Sequence, residues 1–221
     1  CLLGARDQMG EKSFYYFHHG GRFLGTSRLA TLVNHPAVPI RLNHAQLALS
    51  AIPLAERVIG SQATLYEDVY CLPGGTAFCC DAKGFTSWTY WQPEPQARLN
   101  ISDAEVPQAL RELLFAAVAN RLPGTGEPGA LLSGGLDSSA IVAVAATILK
   151  KQNRSLTTFS AVLPESLRHE IGDERDFIRL FSHHENIRLI DILDELRGPF
   201  DNVAALTRNS CSPFHTSRHY L

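Results

Sequence analysis

The period of the chain changes abruptly between residues 130 and 151. Ala130-Leu131-Leu132 is an unbroken apolar run, Ser133-Gly134-Gly135-Leu136-Asp137-Ser138-Ser139 carries no hydrophobic period, and the rest of the stretch to Lys151 has neither proline nor glycine. This spacing predicts a buried strand, a loop and a helix (Ser138 to Lys151) in immediate succession. Leu156 to Leu163 then reads as a second strand, Asp173 to His184 as a helix, and Ile187 to Ile190 as a third strand. Such alternation predicts an α/β layer with a parallel sheet wound by right-handed crossovers. Ligands of these sheets sit at the carboxyl ends of the strands, where residues 133–139 fall.

The first half of the chain has a different pattern, so the whole is α+β. Residues 13–26 hold two aromatic-rich runs around Gly20-Gly21, a hairpin signal. Thr76 to Cys80 and Phe85 to Trp91 predict a second hairpin across Asp81 to Gly84. Arg28 to Asn34 and His44 to Ile52 read as short helices, the second capped by Asn43. Gln92 to Leu99 contains two prolines and few apolar residues, and marks a boundary. Past it, Ser102-Asp103-Ala104-Glu105 is a capping box, and Val106, Leu110, Leu113, Leu114, Ala117 and Val118 recur at helical spacing until Pro123. The expected domains are thus 1–92 and 102–221, joined by a linker at 93–101.

Composition removes several classes of function. At 221 residues, 45% hydrophobic and 19% charged, the chain can bury a core and is far from the disordered regime. Its formal charge is −2 with scattered cations, which argues against nucleic acid and membrane-surface partners. The longest apolar run, Ala140 to Leu149, is too short to span a bilayer, and a cytoplasmic location is expected. Five cysteines with no C-x-x-C spacing suit neither a disulfide framework nor a zinc knuckle, so reduced thiols are expected.

The chemistry of the Ser133 to Ser139 loop follows from its residue types. Gly134 and Gly135 permit backbone angles closed to other residues and let main-chain N–H groups approach a ligand. The following helix adds unpaired N–H donors and a positive dipole end. Hydroxyls of Ser133, Ser138 and Ser139 can donate to phosphate oxygens, whereas Asp137 would repel phosphate unless a divalent cation lay between them. Asp137 is therefore read as a magnesium ligand. Two rival loop chemistries fail. Gly124 to Gly129 has the glycine spacing of a P-loop but continues Ala130-Leu131 where Lys and Ser/Thr are required. No serine is flanked as a hydrolase elbow demands.

Ser-Gly-Gly-x-Asp-Ser resembles the pyrophosphate loop of the ATP pyrophosphatases. Leu131-Leu132 before it and Ser139 after it narrow the resemblance to the asparagine synthetase superfamily, which includes β-lactam synthetase and the lasso-peptide macrolactam cyclases. Ala5-Arg6-Asp7-Gln8-Met9-Gly10 with Phe14-Tyr15-Tyr16, Thr64 to Val69, Leu72-Pro73-Gly74-Gly75, Tyr90-Trp91 and Asp173-Glu174 extend it over nearly the whole chain. The resemblance implies the C-terminal half of a glutaminase-type (Ntn-like) sandwich, followed by a Rossmann-like ATP-pyrophosphatase parallel sheet. It also implies ATP and Mg²⁺ as cofactors, and a small-molecule carboxylate or peptide as substrate, and it leaves an oligomer open. In this chemistry the carboxylate attacks the α-phosphate of ATP, pyrophosphate leaves, and an amine converts the acyl-adenylate to an amide. Main-chain groups at Leu131 and Ala161 would contact adenine, while Ser133, Gly134, Gly135, Ser138 and Ser139 would hold phosphate and Asp137 the metal.

The resemblance assigns no catalytic residue to this chain. Cys1 stands five residues before Arg6-Asp7, too close to be the family's glutaminase nucleophile, and no Ser-Gly-x-Gly-x-Asp-Glu loop follows Ala161. Nucleotide binding without turnover is expected of the chain by itself. Gly172-Asp173-Glu174 and Gly198-Pro199-Phe200-Asp201 look more like the lasso cyclases, and a noncatalytic nucleotide-binding module is the reading of another class. His183, His184 and Glu185, and His215 with His219, lack a third ligand at metal spacing and read as solvated surface. Asp191, Asp194 and Glu195 read as an exposed helix face, and Trp88, Tyr90 and Trp91 as sheet packing.

Overall fold

A computed structural model describes residues 1–50, 52, 62–94, 100–165, 174–193 and 203–211. These fall into two compact units, one holding residues 1–94 and 203–211 and the other residues 100–165 and 174–193. Several sequence expectations lie outside the described residues: Ala51, the linker at 95–99, Gly172-Asp173, Asp194 and Glu195, Gly198 to Asp201, His215 and His219.

In the first unit the strands are β1 (Leu2–Ala5), β2 (Tyr15–His19), β3 (Arg22–Thr26), β4 (Val69–Cys71), β5 (Thr76–Asp81) and β6 (Gly84–Thr89). They form two antiparallel sheets, ordered β1-β5-β6 and β3-β2-β4. The predicted hairpins are present. Gly20 and Gly21 both have positive φ (58° and 73°), the primed-turn geometry that matches strand twist. Two short helices, α1 (Leu29–Val33) and α2 (His44–Ser50), stand where predicted, and the Asn43 Oδ1 cap accepts Gln46 N–H at 3.1 Å.

Alternation along β2 sends neighbouring side chains to opposite faces. Tyr16 packs with Leu72 and Phe78, whereas Phe17 packs with Leu29, Leu32, Val38 and Val69. The two sheets meet through aromatic rings: Phe14 on Phe78 at 5.3 Å, Tyr16 on Phe85 at 4.7 Å and Phe23 on Phe85 at 5.6 Å. Helix α3 (Val203–Ser210) is far along the sequence, numbered here by unit, yet it packs on α1 in this unit.

The Arg6-Asp7 pair ties the ends of both sheets. Arg6 donates to the carbonyls of Gly10 (2.6 Å), Lys12 (2.7 Å) and Leu72, and to Cys71 Sγ (3.4 Å). The Asp7 carboxylate accepts Glu11 N–H (2.9 Å) and Lys12 N–H (3.3 Å), and its carbonyl accepts Gly75 N–H (2.9 Å). The hydrogen bond from Glu11 is the main cause that holds the Asp7 carboxyl below its usual range.

The aromatic expectation past β6 is corrected. Strand pairing stops at Thr89 because Tyr90 and Trp91 both turn their N–H groups to Gly75 O (2.8 and 3.1 Å). Trp88 stands on β6 opposite Ala77 as expected, though 48% exposed, whereas Tyr90 and Trp91 lie past the strand at 44% and 37% exposure, and Tyr90 Oη donates to Arg6 O at 2.7 Å.

The second unit opens with α4 (Val106–Arg121), whose Glu105 carboxylate reaches back to Ser102 N–H at 2.8 Å, half of the predicted box. Then follow β7 (Gly129–Leu131), α5 (Leu136–Lys151), β8 (Leu156–Val162), α6 (Arg175–Arg179) running into a 3₁₀ turn (Leu180–His183), and β9 (Ile187–Leu193). The sheet is parallel, ordered β7-β8-β9. Val142, Ala145, Ala146 and Leu149 of α5 bury against Leu132, Leu156 and Ile178.

Three details differ from expectation. The helix predicted to His184 tightens to a 3₁₀ turn after Arg179. The third strand continues past Ile190 to Leu193 because β8 pairs with it along its full length. Asp191 consequently lies on a strand, half-buried and accepting a hydrogen bond from Arg179, not on an exposed helix face. Gly124 to Gly129 sits at the amino end of β7, its bends held by Arg154, which donates to Pro123 O (2.9 Å) and Gly126 O (2.7 Å).

Arg6→Ala should lower stability of the first unit by about 3 kcal/mol, measured by urea unfolding followed by tryptophan fluorescence, since half-buried carbonyls lose a charged donor. The Asp7 contribution is fully present above its unfolded pKa and disappears as pH falls through the lowered folded value. Asp7→Asn should therefore show a smaller drop in urea midpoint than wild type between about pH 6 and pH 3.

Candidate functional site

The site grows from the end of β7. Leu132 continues the parallel ladder, its N–H on Phe159 O (3.0 Å), and its side chain is buried. The buried Ser160 hydroxyl donates to Leu132 O at 2.6 Å. These two bonds fix the point at which the chain leaves the sheet. By the register of β7 and β8, Ala161 stands level with Ser133, two residues past the partner of Leu131. Ala161 is exposed and Leu131 is 79% exposed at the carboxyl edge.

Ser133 to Ser139 then wraps onto the start of α5. Ser133 Oγ and Ser138 Oγ are 3.0 Å apart, Ser133 N–H donates to Ser138 Oγ (3.2 Å), and Ser138 Oγ donates to Gly135 O (3.2 Å). Gly135 is the N-cap with φ −69° and ψ 160°, and no side chain caps the helix. Ser139 N–H makes the first helical bond, to Gly135 O at 3.0 Å. Gly135, having no side chain, offers the N–H groups of the first turn no N-cap acceptor, and two hydroxyls that can rotate stand beside them. Such an arrangement suits an anion. Leu136, 91% exposed, takes no part in the core.

The two glycines are not equivalent. Gly134 has φ +88°, and a Cβ there would lie 2.8 Å from Glu174 Cβ and 2.9 Å from Glu174 O. Gly135 has an ordinary φ, and its added Cβ would meet only Ser133 Oγ at 3.4 Å. Of the two glycines that permit such angles, Gly134 alone uses one. Asp137 is exposed in the first turn of α5 and has no hydrogen-bond or ion-pair partner among the described residues. Its carboxylate would repel an anion at the same helix start unless a cation lay between them.

Sequence reasoning missed two supports of this loop. Ser160 carried no signal beyond its place on an alternating strand. Glu174 stood in the sequence only as part of the Asp173-Glu174 resemblance and Phe177 not at all; that their backbone and Cβ atoms press on Gly134 emerges only through the fold. His183 and His184 are exposed, His184 stacking on Phe181 at 5.8 Å, and no group of three metal-ligating side chains occurs among the described residues.

A glycine-rich loop at the carboxyl edge of a parallel sheet, preceded by a separate unit of antiparallel sheets, defines a two-part α/β protein. Two known families match the chain, one in each half. Residues 109–207 match the Asparagine synthase family and residues 1–91 match the Glutamine amidotransferase domain family. The chain is 30% identical over 160 residues to the glutamine-hydrolyzing asparagine synthetase 3 of Bacillus subtilis (strain 168), covering 72% of this chain and 26% of that protein. It is 28% identical over 171 residues to Amidase chry2 of Gibberella zeae, covering 76% of this chain and 24% of that protein. The chain belongs to the asparagine synthetase superfamily. It spans about a quarter of the length of these curated relatives. No helix among the described residues is long and apolar enough to cross a membrane.

Gly134→Ala should cost the second unit about 2 kcal/mol in thermal or denaturant unfolding, because the Glu174 backbone must move and the φ is unfavourable. Gly135→Ala should stay within about 1 kcal/mol of wild type.

Proposed function

We propose that residues 133–139 hold the phosphates of ATP, within a larger protein that forms amide bonds by adenylating a carboxylate. The observation that carries this reading is the start of α5, with no side-chain cap, beside the Ser133 and Ser138 hydroxyls, with the Asp137 carboxylate, unpartnered among the described residues, in its first turn. Two units then take their family roles: residues 1–92 as part of a glutaminase-type Ntn-like sandwich, and the parallel sheet as part of a Rossmann-like ATP-pyrophosphatase domain. The aromatic junction between two antiparallel sheets supports the first, and the β7-β8-β9 order supports the second.

In the proposed reaction a carboxylate of a small molecule or peptide displaces pyrophosphate from the α-phosphate, and an amine then displaces AMP. The Ser133, Ser138 and Ser139 hydroxyls and the N–H groups of the first turn of α5 orient the departing pyrophosphate. Donors fixed by the fold stabilise its growing charge more than that of the bound ground state. Mg²⁺, held by Asp137, would supply neutralising charge between the carboxylate and the phosphates. Leu131 and Ala161 offer main-chain groups at adjacent strand ends for adenine. Gly134 lets the loop close against Glu174 and so keeps these donors in place.

Titration of the purified chain with ATP, by calorimetry with Mg²⁺ or with EDTA, tests the assignment. Wild type should bind only with Mg²⁺ or far more tightly with it, and Asp137→Asn should weaken binding about tenfold, which is 1.4 kcal/mol. Binding that ignores both Mg²⁺ and the substitution would remove Asp137 from the metal site.

A further inference from the structure

We propose that Cys1 and Cys79 form a reversible dithiol–disulfide pair, a modification site separate from the nucleotide loop. Their sulfurs are 3.2 Å apart, at the open end of the β1-β5 ladder. In that ladder Leu3 faces Cys79 and Leu2 faces Cys80. Side chains two residues apart share a face, so Cys1 is the diagonal neighbour of Cys79, and such diagonal neighbours lie within reach of each other. Cys80 points to the other face by the same alternation.

Two of the other three thiols are engaged elsewhere. Cys71 Sγ receives the Arg6 guanidinium at 3.4 Å, and Cys211 Sγ donates to Arg208 O at 3.4 Å. All five cysteines are thiols in this structure, and Cys1 is exposed directly before the edge strand β1, so a small oxidant can reach the pair. A bond length of about 2.05 Å requires the two sulfurs to approach by little more than an ångström.

Thiol–disulfide exchange with a small disulfide such as oxidised glutathione balances the step. One protein thiolate attacks a glutathione sulfur and releases one glutathione thiolate. The second protein thiolate then attacks the protein sulfur of the mixed disulfide and releases the other. The two protons lost by Cys1 and Cys79 end on the two glutathione molecules. The new bond closes a loop between positions 78 apart in sequence and clamps β1 to β5 directly before the Arg6-Asp7 knot. Constraint of so long a loop stabilises the folded chain.

The test exposes the 221-residue chain to oxidised glutathione, blocks remaining thiols with N-ethylmaleimide, and maps the product by mass spectrometry. Wild type should lose two of its five reactive thiols, with Cys1 and Cys79 peptides linked, and dithiothreitol should restore them. Cys80→Ser should form the same link, whereas Cys1→Ser and Cys79→Ser should each abolish it. The oxidised wild type should also exchange the amide hydrogens of β1 more slowly than the reduced protein. Five thiols left unreacted, a persistent glutathione adduct on Cys1 or Cys79 with no link, or a link joining another pair would each overturn the proposal.

Discussion

The exit of the chain from β7 rests on one shared attachment, the bonds that tie Leu132 to β8. Its N–H and carbonyl are both taken, by Phe159 O and by the Ser160 hydroxyl, while its side chain fills the core. The strand cannot slide without exposing Leu132 and leaving the buried Ser160 hydroxyl without an acceptor, a loss comparable to a broken buried hydrogen bond. Everything after Leu132 inherits that anchor: the turn at Gly134, the cap at Gly135 and the start of α5.

The first unit has an analogous anchor in Arg6. One guanidinium gathers the carbonyls of residues 10 and 12 together with that of residue 72, which is distant along the chain but meets them where the two sheets end. The aromatic rings between the sheets supply bulk and area, while the Arg6-Asp7 network supplies direction. A family motif here has a structural explanation, since every polar atom named in it is occupied by the protein's own backbone.

Much of the second unit was legible because periodicity is a local property. The strand at Ala130-Leu131, the loop and the helix to Lys151 follow from runs of apolar residues and from the placement of glycine. Hairpin turns were legible for the same reason, since Gly20-Gly21 specify their own backbone angles. The ends of elements were less so. Asp191 looked like part of a charged helix until strand pairing with β8 carried β9 past it, and Tyr90 and Trp91 looked like strand residues until Gly75 O captured their N–H groups. Both outcomes depend on partners distant in sequence, which no local pattern contains.

By itself the sequence determined the loop chemistry, two glycines, three hydroxyls and one carboxylate at a strand-to-helix turn, because those properties belong to the residues and their order. Tertiary structure decided which of these features are constrained. It pressed Glu174 against Gly134 and left Gly135 free, brought Ala161 level with Ser133, returned the helix at Val203–Ser210 to the first unit, and set Cys1 beside Cys79. The reason is physical: composition and period act over a few residues, whereas burial, steric contact and strand register act between residues that only folding makes neighbours.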